Sequence, residues 1–370
     1  MLTGADILAV IVYFILGYII TKMLQLAEHE VQYKNGIKKY SHTGKAIYIS
    51  IFIILMLFVL MQEPRGGQLP YINVFKNSTE YRVNFFSLTG LYSDQEMEPM
   101  FLLWCFLIRC ITDNATVFLA VSYGFVFYSI LKFMSVFWEK EYTFTFMLFW
   151  PVIIDYIFGI RYGLACTYCF WAAICYKRKK YIPAAIFTII ASFTHFLAIA
   201  FVMYAAYCIV IKQLYKNKTF TIKTLFLSVI GVFIFSKIAV DIYATFRVSY
   251  RMSGVITLRN FFSYLPQAIC ALIIFYYQKD KRFDRGNGPC ILAAYFNMVM
   301  IPITIQWGIY RLPYIFLPFC AIALTNSFNK RTYQNIGIMF CAKWMIYAYC
   351  ILKIITMGLQ NESLNFTFLI

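Results

Sequence analysis

A single histidine stands in the apolar stretch ASFTHFLAIA, residues 191–200. Between the basic run Lys177-Arg178-Lys179-Lys180 and the cluster from Lys212 to Lys218, His195 is the only ionisable side chain other than tyrosine and cysteine. An imidazole titrates near pH 6.5 in water, at about the pH where a general base is most useful. Three arginines, Arg161, Arg259 and Arg311, each border an apolar run. A guanidinium is planar, always charged, and grips a phosphate or carboxylate in two places. Imidazole and guanidinium together suit transfer chemistry on an anionic substrate. Asp155 lies shortly before Arg161, where it can neutralise it, orient it or act as a base. Arg65, Arg82, Arg247 and Arg251 lie in longer loops, where snorkelling to headgroups or pairing with Glu63, Glu80, Asp94, Glu96, Glu98 and Asp241 is the plainer role.

The elements that must position these groups are membrane helices. The chain of 370 residues is 62% hydrophobic, 20% aromatic and 13% charged, with a mean hydropathy of +0.69, outside the range of soluble globular proteins. Long apolar runs recur throughout, so the expected fold is all-α and polytopic, and no segment reads as a soluble domain. Residues 5–20 lack a basic leader and a cleavage site, and read as a retained helix. The net charge of +17 is a matter of membrane sidedness here, not of nucleic-acid binding. The eleven cysteines fall within or beside apolar runs and suggest packing, not disulfides; so does Cys166-x-x-Cys169.

Basic clusters at 22–45, 132–140, 177–180, 212–223, 279–285 and 330–331 are assigned to the cytoplasmic side. The chain between successive clusters then crosses an even number of times. Residues 181–211 would span about 46 Å as one helix, against a hydrocarbon core of about 30 Å. A hairpin turning at Ser192-Phe193-Thr194-His195 resolves this and puts His195 at the outer surface. Helices are expected at 5–21, 45–62, 142–160, 162–176, 220–238, 261–277, 289–305, 311–325 and 335–355, for about twelve crossings in all. Residues 63–97 form an outer loop, and 98–112 are short for a crossing and read as re-entrant or interfacial. In the first inner loop, Glu28-His29-Glu30 reads as a solvated face.

On this topology most arginines are outer and most lysines inner. Both are cations, so sidedness alone does not sort them; the arginine fork points to an outer anionic ligand, a lipid phosphate or diphosphate. The sequence contains no Walker loop, no dinucleotide fingerprint and no Asp-x-Asp pair. Glu96-x-Glu98 is the nearest approach to a metal motif and is weak without further ligands.

The stretch GIRYGLACTYCFWAAICYKRKKYIPAAIFTIIASFTHFLAIAFV, with Arg161, Lys177 to Lys180 and Phe193-Thr194-His195, resembles the EpsG family of Wzy-type polymerases of exopolysaccharide and O-antigen repeat units. Glu98-Pro99-Met100-Phe101 is similar to the family's Glu-Pro-x-Phe element, and Arg311 with Pro318 to its late arginine element. Gln68 departs from the pattern, standing three residues before Tyr71 where an aspartate is expected; Glu98 is therefore the better acidic candidate. The resemblance implies one transmembrane polymerase domain over residues 1–370, with a GT-C-like architecture, in the bacterial inner membrane with its site facing outward. It implies glycosyl transfer from an undecaprenyl diphosphate-linked glycan to an incoming lipid-linked repeat unit, without metal or cofactor. Catalytic roles then fall to His195 as base, Arg161, Arg311 and Glu98, and substrate contacts to Arg259, Tyr310, Asp155, Arg251, Arg247, Arg65 and Tyr71. Partners are the lipid-linked oligosaccharide, membrane lipid, a chain-length regulator and other export proteins. A lipid-linked oligosaccharide flippase and a sugar O-acyltransferase are the competing readings.

Overall fold

Apolar runs free of helix breakers satisfy every backbone N–H and C=O within the segment, the condition for crossing hydrocarbon. In the computed structural model, which describes residues 4–34, 37–61, 68–78, 97–138, 143–214, 230, 258–278, 287–307, 311–328 and 336–361, such runs are helical. In chain order the helices are α1 (Gly4–His29), α2 (His42–Leu60), α3 (Leu69–Lys76), α4 (Pro99–Arg109), α5 (Ala115–Phe137), α6 (Phe146–Phe158), α7 (Ile160–Lys177), α8 (Tyr181–Thr194), α9 (Ile199–Leu214), α10 (Leu258–Gln278), α11 (Gly288–Trp307), α12 (Leu317–Phe328) and α13 (Ile336–Asn361). Among the described residues, Leu8–His29, His42–Leu60, Ala115–Phe137 and Gly337–Ile355 are long and apolar enough to cross a membrane. Other apolar helices are shorter because breakers divide them: Gly159 separates α6 from α7, and α8 stops at Thr194. The expected span at 220–238 lies almost wholly outside the described residues.

The exposed apolar residues keep helical spacing. Ile11, Ile15 and Ile19 line one face of α1, and Ile49, Ile53 and Leu57 one face of α2, as expected of stripes facing lipid. By contrast α7 is buried along almost its whole length, and its Gly163, Ala165, Cys166, Cys169, Ala172 and Ala173 let neighbouring helices approach closely. All eleven cysteines are free thiols.

Packing divides the chain into two compact units: Met1–Val136 with Lys140–Ala198 and Cys350–Ile370, and Phe137–Glu139 with Ile199–Tyr349. In the first, α7 packs along α8, α1 along α2, α3 on α4, and α4 on α8. Gly17 makes room for Trp150: a Cβ there would sit 2.5 Å from the indole, whose Nε1 donates to the Tyr13 carbonyl at 2.9 Å. In the second, α10, α11 and α12 pack on one another, with α9 against α11.

One expectation fails in the first inner loop. That loop holds an antiparallel hairpin, β1 (Val31–Lys34) and β2 (Ile37–Tyr40), with Val31 opposite Tyr40. Its sequence signal is Asn35-Gly36 between two alternating segments. Glu28 is buried, not solvated. Its carboxylate accepts from Lys38 Nζ at 2.5 Å, Tyr40 Oη at 2.5 Å and Tyr48 Oη at 2.9 Å, because β2 folds back over the end of α1. Within the expected outer loop at 63–97, the described residues form α3, which stacks Phe75 on Phe118 of α5 at 4.5 Å.

Candidate functional site

Glu98 owes its place to the proline that follows it. A residue before proline is held in the extended region, and proline suits the first position of a helix; Glu98 accordingly has φ −69 and ψ 142, and α4 starts at Pro99. Its backbone carbonyl accepts from Phe101 and Leu102. Its side chain does not cap its own helix and is directed to residues far along the chain.

One of these is Arg161. Gly159 ends α6 and starts α7, putting Arg161 in the first turn of α7. Gly163 permits this corner, because a Cβ there would lie 3.0 Å from the Tyr156 carbonyl. Arg161 Nη1 pairs with Glu98 Oε2 at 2.5 Å and lies 3.2 Å from Met97 Sδ. The guanidinium also stands 6.0 Å from the centre of the Tyr71 ring, within cation–π range, and Tyr71 packs edge-on against Phe101 at 5.5 Å.

The other is the turn after His195. His195 ends α8 in extended conformation, φ −153 and ψ 127, and Phe196–Ala198 form a single 3₁₀ turn. Phe196 N–H donates to Glu98 Oε1 at 3.1 Å, and Leu197 N–H donates to His195 Nδ1 at 3.1 Å. The His195 ring meets Tyr162 edge-on, 5.4 Å between centroids. One carboxylate thus ties a guanidinium on α7 to the backbone beside the histidine. Burial strengthens the arrangement, since Glu98 is 5% exposed and charge pairs in such surroundings are poorly screened.

Behind this group, Gln68 Nε2 donates to Tyr123 Oη at 2.5 Å, and Tyr123 Oη donates to the Ile157 carbonyl at 2.9 Å. That contact braces the end of α6, two residues before the Gly159 break. The residue expected to be acidic therefore serves, as glutamine, in a neutral brace. Sequence reasoning missed Tyr123, Tyr162 and Met97; only the Glu-Pro step hinted that neighbours of Glu98 mattered.

Asp155 is 3% exposed, and its backbone carbonyl accepts from Gly159 N–H at 2.8 Å. Arg311 belongs to the second unit, where it immediately precedes a 3₁₀ turn, Leu312–Ile315, that leads to α12. Arg259 lies in the first turn of α10, its side chain outside the described residues. Arg65, Arg247, Arg251 and Tyr310 also lie outside the described residues. Among the described residues, no three His, Cys, Asp or Glu side chains gather to hold a metal.

A paired arginine, a carboxylate with both oxygens engaged and a histidine at a helix break can bind an anion and assist its departure. No match is found among curated proteins or among solved structures. The model of the EpsG family matches residues 44–368, most of the chain. The Glu98, Arg161 and His195 positions all fall within that match, and the chain belongs to the EpsG family, a family of Wzy-type polymerases embedded in the membrane.

Proposed function

We propose that this protein polymerises polysaccharide repeat units at the outer face of the bacterial inner membrane, moving the growing glycan from an undecaprenyl diphosphate carrier to an incoming lipid-linked unit. The observation that carries the reading is the Arg161–Glu98 pair, fastened to the His195 turn. As the anomeric C–O bond breaks, negative charge grows on the diphosphate, and a guanidinium already in place stabilises it without reorganisation. Arg161 fills that role, and Arg259 and Arg311 remain candidates on sequence grounds. Tyr71, beside the Arg161 guanidinium, contacts the substrate, and the sequence offers Arg247, Arg251, Arg65 and Tyr310 as further substrate contacts. Glu98 gives one oxygen to Arg161 and the other to an amide, which makes it a positioning residue and a poor base. The remaining crossings, to about twelve, would complete a GT-C-like bundle.

The test replaces Arg161 with alanine or lysine in the source strain and examines the lipid-linked glycan. Single repeat units accumulate on the outer leaflet if the reading is right. Units retained inside would indicate a flippase, and unchanged polymer length would rule out a role for this site in polymerisation.

A further inference from the structure

Resting on the polymerase reading, we propose that His195 acts as a hydrogen-bond donor through Nε2–H to the departing diphosphate oxygen, and not as the base that deprotonates the acceptor hydroxyl. A backbone N–H only donates, so Nδ1, 3.1 Å from the Leu197 nitrogen, must present its lone pair there. The neutral ring then carries its proton on Nε2. A base at Nε2 requires the other tautomer, which would set Nδ1–H against the Leu197 N–H. A catalytic base is held in that tautomer when Nδ1–H donates to a carboxylate. At this turn the carboxylate binds the backbone instead: Glu98 Oε1 takes the Phe196 amide and Oε2 takes Arg161. The Leu197 amide is itself fixed, lying between the Phe196 N–H on Glu98 and the Ala198 N–H, which donates to the His195 carbonyl at 2.9 Å. Among the described residues, the ionisable and charged groups at the turn include Tyr162 and Arg161 from α7 and Glu98 ahead of α4.

In the step that follows, the acceptor oxygen forms its bond to the anomeric carbon as the bond to the diphosphate breaks and its electron pair moves onto the diphosphate oxygen. The acceptor proton passes to a non-bridging oxygen of the departing diphosphate or to water. Nε2 keeps its proton, and its hydrogen bond strengthens as the charge grows.

The test uses the full chain in liposomes supplied with lipid-linked repeat units, with His195→Gln and His195→Asn compared for rate and thermal stability. Glutamine places an amide N–H near the Nε2 position. Asparagine can still accept the Leu197 N–H but offers no distal donor. The expected result is that His195→Gln stays within about tenfold of the parent while folded His195→Asn loses about 10²–10³ in kcat, the usual effect of deleting one such donor. The parent rate should show no fall on the acid side near pH 6.5, where an imidazole base would be protonated. Loss in both variants together with such an acid limb would establish a base and overturn the proposal. Full activity in His195→Asn would leave only a turn cap and overturn it equally. Arg161→Ala polymerising at the parent rate would instead sink the polymerase reading of the site, and this proposal with it.

Discussion

Replacing Glu98 isolates the contact that joins the two halves of the site. In Glu98→Ala, Arg161 loses its ion-pair partner and Phe196 N–H loses its acceptor. Removing one member of a buried pair costs about 3–5 kcal/mol when the remaining charge is left uncompensated. Arg161 keeps Met97 and Tyr71 beside it and is 14% exposed, so the loss should stay at or below about 3 kcal/mol. A displaced guanidinium also forfeits stabilisation of the leaving group, so polymerisation should slow by roughly 10²-fold or more. Glu98→Gln keeps the shape, but its amide has a single acceptor oxygen. Either rotamer satisfies one of the two donors and turns NH₂ towards the other, so about 1–3 kcal/mol of stability should be lost. The assays are thermal unfolding of the purified protein and the length distribution of polymer in the complemented strain. Glu98→Ala indistinguishable from the parent in both would show that the carboxylate positions nothing.

Three further outcomes are expected. Gly163→Ala, whose Cβ would press on the Tyr156 backbone carbonyl at 3.0 Å, should lose about 1–3 kcal/mol and much of the activity, whereas Gly337→Ala, with nothing within 4 Å, should be neutral or slightly stabilising; parallel melting curves check both. Tyr123→Phe removes the donor to the Ile157 carbonyl and should cost about 1–3 kcal/mol with a drop in polymer output, measured the same way. Burial, then the neighbouring Tyr48 and Glu28, hold the Tyr40 phenol well above the usual tyrosine range. The folded state keeps its proton while the unfolded chain ionises near pH 10, so this stabilisation is complete below about pH 10 and lost as pH rises further. Thermal unfolding from pH 8 to 11 should show that decline, and Tyr40→Phe should flatten it.

Hydropathy alone was enough to indicate a helical, membrane-embedded protein, because the cost of exposing backbone to lipid leaves a long apolar segment few alternatives. The His195 break was equally legible: residues 181–211 are too long for one crossing, and helix α8 does stop at Thr194. Glu98 and Arg161 were identifiable by type and by the Glu-Pro step. Their pairing was not, because the partners lie 63 residues apart in the chain, and Glu98 reaches the amide beside His195 across 98. Nor did residue type reveal that Glu28 is buried under a hairpin, or that Gln68 braces Tyr123 where an acid was expected. Composition fixes which segments must leave water; partner choice among buried polar groups is decided by tertiary packing, since only that packing determines which donor comes within 3 Å of which acceptor.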